Sequence, residues 1–400
     1  MRTYQVISAD GHVEVPATMW TEYVPSQYKE HAPKLLVLED GSEWWEMDEF
    51  IRDNVGNLIC DLPYDELRPG TGRYHFPDGT PRPGTGTAAQ RLREQDIDGI
   101  DAEVLFPSVW GPNFLRLMLP KNKDAYKALI GAYNTWLAQD YCSVAPDRLI
   151  GNAILPESGV DDAIKEMERC RRMGLKTICL SSFPNGGPMA EPEDDRFWQA
   201  ALDADMKLSP HINFGAFAGA VGFGEPQEIT LQDGRKLKKL PSAATPNLMI
   251  GAQLAPQAAT ISKLILGGVF DRFPDLKLYF AEVQAGWIPY TLNFVDEWYQ
   301  RWYAFHDIKL NQLPSYYYQQ HISFGFIVDR LAMEFRHFIG TGNLMWGNDF
   351  PHSVGSYPHS GEVIAEIFED VPEKDKRKVL VENPCRFFGL DPEKPLTATP

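Results

Sequence analysis

The sequence lacks any long hydrophobic run. No segment approaches the roughly 18–20 consecutive apolar residues that a membrane-spanning helix needs. The amino terminus, MRTYQVISADGH, also lacks the apolar core of a secretory signal peptide. We therefore expect a cytoplasmic protein that has no membrane partner.

Basic residues and cysteines are also scarce. The 38 Lys and Arg residues face 55 Asp and Glu residues, and the formal net charge is -17. No basic surplus is left to neutralise phosphates, which argues against a nucleic-acid partner. The five cysteines are scattered and include no CxxC pair, so we predict reduced, mostly buried thiols rather than a disulfide framework.

What the 400-residue chain does have is material for a large core, since 44% of its residues are hydrophobic. Short apolar runs alternate with amphipathic segments, and this alternation predicts one (β/α)8 TIM barrel over residues 1–400. A doubly wound open sheet is the alternative, but no Gly-rich dinucleotide fingerprint follows the first strand. The predicted strands are Tyr4–Ala9, Ala102–Phe106, Leu149–Leu155, Thr177–Ser181, Leu208–Asn213, Lys277–Val283, Ile322–Phe326 and Leu344–Asn348.

Two segments interrupt the alternation, residues 20–90 and residues 215–255. Both are rich in Gly and Pro, and they follow the first and the fifth predicted strands. Insertions after barrel strands lie on the face that carries active sites. We interpret them as a lid or a substrate wall; surface decoration or an oligomer contact is the alternative.

The stretch ISADGHVEVP places Asp10 and His12 two residues apart at the end of the first predicted strand. The period of two along a strand points both side chains to the same side. An acid and an imidazole so placed form a hydrogen-bonded pair or hold a metal ion.

Other predicted strands carry polar residues inside otherwise apolar runs. Acids that converge in a buried barrel repel one another unless a cation balances them, so the joint pattern favours a metal site. Singly, each residue has an ordinary alternative, such as a core histidine, an arginine-paired acid, a helix cap or a histidine beyond the ligands. These further candidates are Glu103, His211, Glu282, Asp349 and His352.

The motifs ADGHVEVPATMW, PHINFG, YFAEVQAGW, MWGNDFPHS and ENPCRFFGL together resemble the amidohydrolase superfamily, in the branch of aminocarboxymuconate semialdehyde decarboxylase. The resemblance implies a TIM barrel with a divalent metal at its carboxyl-terminal face. The family's His-x-His motif matches Asp10-Gly11-His12, and its later ligands match His211 and Asp349. Where decarboxylases of this branch have a histidine on the sixth strand, this sequence has Glu282.

The resulting ligand set contains four carboxylates, and one ion needs fewer groups. We therefore expect two divalent metal ions, Fe, Zn or Mn, held by Asp10, His12, Glu103, His211, Glu282 and Asp349. Asp349, Glu282 and His352 are the expected catalytic residues.

Three reactions fit such a site. The first is hydrolysis of an organic acid derivative by metal-bound hydroxide. The second is hydroxylation by a non-heme di-iron monooxygenase, as reported for some members of the superfamily on substrates linked to coenzyme A. The third is decarboxylation, which the absence of the sixth-strand histidine disfavours. A metal-stabilised binding protein is the non-enzymatic alternative.

The substrate is expected to be a small organic acid or acyl compound, and the protein is expected to form homo-oligomers. Trp110, Phe114, Trp287 and the GAFAGAVGFG segment are typical of a wide apolar pocket, although aromatic residues are as often core. The basic segment DGRKLKKL, residues 233–240, either contacts an anionic tail or forms a solvated hairpin.

Overall fold

The computed structural model describes residues 2–39, 41–53, 60, 62, 66, 73–108, 111–187, 189–212, 214, 226–240 and 256–400. The strands within these ranges are β1 (Ile7–Val13), β2 (Lys34–Val37), β3 (Glu43–Met47), β4 (Phe50–Asp53), β5 (Ala102–Pro107), β6 (Leu149–Ile154), β7 (Thr177–Leu180), β8 (Lys207–Pro210), β9 (Gln227–Thr230), β10 (Lys236–Lys239), β11 (Leu278–Phe280), β12 (Ile322–Phe326) and β13 (Leu344–Trp346).

The α-helices in the described part of the chain span Ala17–Tyr23, Ala88–Asp98, Gly111–Arg116, Lys123–Trp136, Val160–Arg172, Asp195–Asp203, Pro256–Leu266, Val269–Arg272, Ile288–Trp302, Pro314–His321, Arg330–Glu334, Arg336–Ile339, Ser360–Ile367, Glu373–Arg377 and Asn383–Phe388. None of them is long and apolar enough to cross a membrane.

Eight parallel strands form the barrel in the order β1-β5-β6-β7-β8-β11-β12-β13. The seam between β1 and the segment after β13 is joined by two backbone hydrogen bonds. The N–H of Asp349 donates to the carbonyl of Asp10 at 2.8 Å, and the N–H of His12 donates to the carbonyl of Phe350 at 2.7 Å. This closure confirms the predicted TIM barrel and excludes the open doubly wound sheet.

Burial follows the expected layering of a parallel barrel. All seven residues of β1 are buried, because helices cover one face of the strands and the barrel interior the other. The helix Val160–Arg172 shows the matching amphipathic pattern, with Val160, Ala163, Met167 and Cys170 buried against the sheet. The predicted alternation of strands and amphipathic helices is therefore what builds the fold.

The first strand differs from its predicted bounds. It extends to Val13 and contains Asp10 and His12, with a register shift between Ser8 and Gly11 against β5. The bulge-like irregularity keeps the polar residues within a paired strand rather than beyond its end.

The two insertions fold together rather than separately. A five-stranded sheet has the order β2-β3-β4-β10-β9, and β4 from the first insertion pairs in parallel with β10 from the second. Trp44, Ile51 and Leu237 form its own small core. The sheet is connected to the barrel through Tyr74. Nε1 of Trp45 on β3 donates to the hydroxyl of Tyr74 at 2.8 Å, and that hydroxyl donates to Glu14, just after β1, at 2.7 Å. Insertions after the first and fifth barrel strands are thus confirmed, whereas their role as a lid stays a prediction.

Gly347 packs tightly at the barrel seam, and we expect alanine there to be destabilising. An added Cβ would lie 2.5 Å from the Cβ of Asp10 and 2.8 Å from its backbone nitrogen, and that backbone is fixed by the seam hydrogen bonds. Gly347→Ala should lower the free energy of unfolding in denaturant by about 1–3 kcal/mol. Gly361→Ala is the control, because its Cβ meets nothing within 4 Å in a helix and should be neutral or stabilising.

Candidate metal centre

Four predicted ligands converge at the carboxyl-terminal mouth of the barrel. Asp10 and His12 come from β1, His211 directly follows β8, and Glu282 lies two residues after the end of β11. One ligand atom from each of the four side chains lies within 4.8 Å of the others. The barrel topology therefore brings together residues from near the amino terminus, such as Asp10, and from the last third of the chain, such as Glu282.

The separations within this group suit ligands around a common centre. The Nε2 of His211 lies 3.5 Å from Oδ1 of Asp10 and 3.7 Å from Oε2 of Glu282. The Nε2 of His12 lies 3.7 Å from Oδ1 of Asp10. A cation at about 2.0–2.6 Å from each donor would fit between atoms at these spacings.

A second group shares His12 with the first. It consists of His12, Asp349 and His352, all buried. The Oδ1 of Asp349 lies 3.1 Å from Nε2 of His12 and also 3.1 Å from Nδ1 of His352. The rings of His12 and His352 are stacked, with their centroids 3.9 Å apart. Asp349 therefore stands between the four-residue group and the imidazole of His352.

Several donor atoms of the two groups are buried and accept or donate no hydrogen bond. They are both carboxylate oxygens of Asp10 and of Asp349, and the Nε2 atoms of His12, His211 and His352. A buried polar atom without a partner costs about 1–3 kcal/mol, so this concentration of them needs an explanation. Carboxylate oxygen and imidazole nitrogen are ligands of Mn, Fe and Zn, and the residues present fit a divalent cation.

The acid and the imidazoles of the second group shift one another's pKa values. Burial alone would raise the pKa of Asp349, but its interactions with the imidazoles of His352 and His12 outweigh burial and hold that pKa well below its ordinary value. Burial would lower the pKa of His12, but the carboxylates of Asp349 and Asp10 raise it above its ordinary value. Asp349 is therefore ionised throughout the neutral range, and the carboxylates favour a positive charge at His12.

His352 shows the opposite shift. Burial lowers its pKa, and this effect, to which the charges of His12 and His211 add, outweighs the opposing effect of the Asp349 carboxylate. A neutral ring whose Nδ1–H faces Asp349 leaves Nε2 able to accept a proton. His352 therefore has the form of an oriented base.

Two of the candidate residues adopt unusual backbone conformations. Glu282 and Asp349 have φ angles of 56° and 51°, in the left-handed region that non-glycine residues rarely adopt. Such residues cost of order 1–3 kcal/mol and cluster at functional sites. Both lie just beyond barrel strands, where the turn aims the carboxylate at the centre.

Two contacts that the sequence did not reveal fix the ring of His12. Its Nδ1 lies 2.9 Å from the carbonyl of Pro107, which leaves Nε2 facing the centre. Phe106 flanks the site, with its ring centroid 6.1 Å from His12 and 4.8 Å from His211. Phe106 lies one residue before the end of β5, and this position was the sequence signal that could have placed it at the site.

Glu103 does not join either group, so the geometry gives the predicted role as a metal ligand no support. Its carboxylate accepts from Nε of Arg91 at 2.6 Å and from Nε2 of Gln95 at 2.8 Å. Because Phe106 faces the site, strand alternation turns Glu103 toward the helix layer. Glu103 is also the second residue of its strand rather than the last. The expected second metal ion depended mainly on this residue.

The expected apolar pocket is only partly within the described ranges. Phe114 is buried, and Trp287 packs edge-on against Phe324 at 6.2 Å. Trp110 and residues 215–224 lie outside the part of the chain that the structure describes. A pocket built from all four therefore stays a prediction.

The basic segment forms the turn and second strand of the β9–β10 hairpin, and acidic side chains pair three of its four basic residues. Arg235 contacts Glu46 at 2.6 Å, and Lys236 contacts Glu228 at 2.9 Å. Lys238 lies 3.3 Å from Glu49. These exposed pairs agree with the interpretation as a solvated hairpin.

Comparison with known protein families shows which family this chain belongs to. The amidohydrolase family model matches residues 121–390, which is more than half of the chain, and the chain belongs to this family. The match includes His211, Glu282 and Asp349, whereas Asp10 and His12 precede it. The predicted resemblance is therefore confirmed.

Two curated relatives narrow the branch. The chain is 28% identical over 311 residues to 2-amino-3-carboxymuconate-6-semialdehyde decarboxylase from Dictyostelium discoideum, covering 76% of this chain and 77% of the relative. It is 24% identical over 216 residues to the gamma-resorcylate decarboxylase of a Polaromonas species, covering 52% and 58%. The chain is thus homologous to decarboxylases of the superfamily.

Solved structures share the fold. An amidohydrolase from Mycobacterium avium subsp. paratuberculosis superposes with a TM-score of 0.69 at 17% identity, covering 98% of this chain and 99% of that one. The 5-carboxyvanillate decarboxylase of Novosphingobium aromaticivorans, solved with manganese and a nitrobenzoic acid, superposes with a TM-score of 0.58 at 21% identity, covering 75% and 80%. At these identities the likeness establishes the barrel and not the reaction.

Proposed function

We propose that this protein is a metal-dependent decarboxylase of a small organic carboxylic acid. The observation that carries the proposal is a four-ligand group beside an oriented imidazole whose Nε2 has no partner, in a chain whose curated relatives are decarboxylases. This reverses the order expected from the sequence, where hydrolysis stood first. The two curated relatives are decarboxylases and support neither hydrolysis nor a di-iron monooxygenase.

We propose that one divalent ion is held by Asp10, His12, His211 and Glu282. Asp349 would also reach this ion, from the side on which His12 lies. Manganese is the first choice for testing, because it is present in a structural neighbour. The ion would supply a Lewis acid that polarises the substrate's oxygen atoms. The negative charges of the ligands would offset its charge and fix its place.

Proton transfer is proposed for His352, which Asp349 orients. When the carbon–carboxylate bond breaks, carbon dioxide leaves and the electron pair stays on the carbon, which then needs a proton. His352 can accept a proton at Nε2 from an acidic group of the substrate or from water, and return it to that carbon. Phe106 would exclude water from one side of the site.

Hydrolysis remains the second candidate because of Glu282. This carboxylate stands where decarboxylases of the branch have a histidine, and a neutral His352 can equally take a proton from an attacking water molecule. The two reactions use the same residues but take different atoms from water. Decarboxylation places a hydrogen on the carbon that lost carbon dioxide, whereas hydrolysis places an oxygen in the acid product.

Isotope labelling distinguishes the two reactions. The metal-loaded enzyme is incubated with gamma-resorcylate, 5-carboxyvanillate and 2-amino-3-carboxymuconate semialdehyde, and separately with methyl esters of the first two. In deuterium oxide, decarboxylation should release carbon dioxide and place one deuterium on the carbon that lost it. In ¹⁸O-labelled water, hydrolysis of an ester would place ¹⁸O in the acid.

We expect carbon dioxide and deuterated product from at least one of the acids, detected by mass spectrometry. Labelled acid from the esters, with no carbon dioxide from any acid, would overturn the proposal in favour of a hydrolase. Incorporation of ¹⁸O from labelled dioxygen would overturn both.

A further inference from the structure

A buried arginine lies directly behind the seam that closes the barrel. Arg91, on the helix Ala88–Asp98, is 1% exposed and forms a two-pronged ion pair with Glu103 on β5. Its Nη2 also donates to the backbone carbonyl of Phe350 at 3.1 Å, and its guanidinium lies 4.3 Å above the Phe350 ring. Arg91 thus holds both the backbone and the side chain of the residue that follows Asp349.

The same carbonyl connects Arg91 to a second ligand. The oxygen of Phe350 also accepts the N–H of His12 at 2.7 Å. One acceptor atom is therefore shared by the arginine and by the backbone of His12. A shift of the Phe350 carbonyl would move Asp349 along the chain and His12 through the hydrogen bond.

The glycine of the Asp-Gly-His motif is explained by this pair. A Cβ at Gly11 would lie 3.0 Å from Nη2 of Arg91 and 3.1 Å from Oε1 of Glu103, which is tighter than ordinary contacts. The ion pair therefore packs flat against the backbone between Asp10 and His12. It thus adjoins the residue between the two first-strand ligands, Gly11, and the residue after the last-strand ligand, Phe350.

The same helix anchors the last-strand loop at a second point. Asp98, seven residues after Arg91 and so on the same helix face, accepts from Nδ2 of Asn348 at 3.2 Å and from the N–H of Ser360 at 2.9 Å. Asn348 and Phe350 flank Asp349. The loop that carries Asp349 is therefore held on both sides by one helix.

We propose that Arg91, neutralised by Glu103, is a positioning residue that sets the geometry of His12 and Asp349 at the metal centre. The proposal rests on the proposed metal site and adds that a pair outside the ligand set determines its affinity. Arginine is required because its planar fork meets a carboxylate and a carbonyl at once, which a lysine ammonium cannot match.

The test uses a double variant that removes both charges, since a lone Glu103 or Arg91 would be a buried unpaired charge and would destabilise the fold. Arg91→Met with Glu103→Gln is compared with wild type for Mn²⁺ affinity by titration calorimetry and for the Mn²⁺ electron paramagnetic resonance spectrum. The matched control is Arg169→Met with Glu166→Gln, another Arg–Glu pair whose arginine also donates to a backbone carbonyl, that of Gly131.

We expect the Arg91 double variant to unfold cooperatively but to bind Mn²⁺ about 10- to 100-fold more weakly, as loss of groups that orient ligands commonly does. The Mn²⁺ resonance spectrum of the double variant should differ from that of wild type. The single variant Arg91→Lys should bind Mn²⁺ with an affinity between those of the double variant and wild type. The control should bind like wild type. Unchanged affinity and spectrum in a folded Arg91 double variant would overturn the positioning role, whereas failure of wild type to bind Mn²⁺ would instead overturn the proposed metal site.

Discussion

Replacing Asp349 with asparagine is expected to lower both turnover and metal affinity. The side chain keeps its shape, but it loses the charge that lies 3.1 Å from both His12 and His352. Turnover should fall on the order of 10²- to 10⁴-fold, because the orienting partner of the proton-transfer group is lost. The measurements are steady-state rates and bound metal per chain.

Two companion variants make this expectation specific. His352→Gln should lower turnover to a similar extent while the metal stays bound, because His352 is not among the four proposed ligands. Asp124→Asn, at an exposed position of the helix Lys123–Trp136, should change neither quantity. Full metal content and activity in Asp349→Asn would show that this residue has no part in the centre.

Removal of the metal is expected to abolish activity and to lower stability. Without a cation, the carboxylates of Asp10, Glu282 and Asp349 repel one another, and the buried donor atoms of Asp10 and Asp349 lack partners. An ion that binds only the folded state stabilises it by about 2.7 kcal/mol when its free concentration is 100 times its dissociation constant. Thermal unfolding after chelation, and again after Mn²⁺ is restored, measures the effect.

The control for this experiment is Asp10→Asn treated in the same way. It lacks one of the four proposed ligands, so added Mn²⁺ should no longer raise its unfolding temperature. Equal stabilisation of wild type and Asp10→Asn would place the responsible ion elsewhere in the protein. Activity that survives chelation would contradict a metal-dependent reaction.

The sequence predicted the barrel well because local patterns determine it. Apolar runs of strand length alternate with amphipathic helices, and parallel strands are buried on both faces. The same period of two correctly placed Asp10 and His12 on one side of β1. The same period also indicates why Glu103 lies away from the centre, because Glu103 and Phe106 are three residues apart and face opposite sides of β5.

Non-local contacts were beyond the reach of these patterns. The parallel pairing of Phe50 with Lys238 joins two insertions that are far apart in the chain, and neither contains a signal for the other. The role of Arg91 was hidden for the same reason, since its partners Glu103 and Phe350 come from different strands. The register shift after Ser8 also follows from pairing with β5 rather than from composition.

The central claim is that Asp10, His12, His211 and Glu282 hold a divalent ion that Asp349 also reaches. Anomalous X-ray diffraction at the manganese edge, from crystals grown with excess Mn²⁺, tests it most directly. The account predicts one strong peak about 2.0–2.6 Å from donor atoms of these residues. A second peak beside Asp349 and His352 would restore the two-ion site expected from the sequence and contradict the proton-transfer role of His352. No peak in the barrel mouth under saturating Mn²⁺ would contradict the metal centre itself.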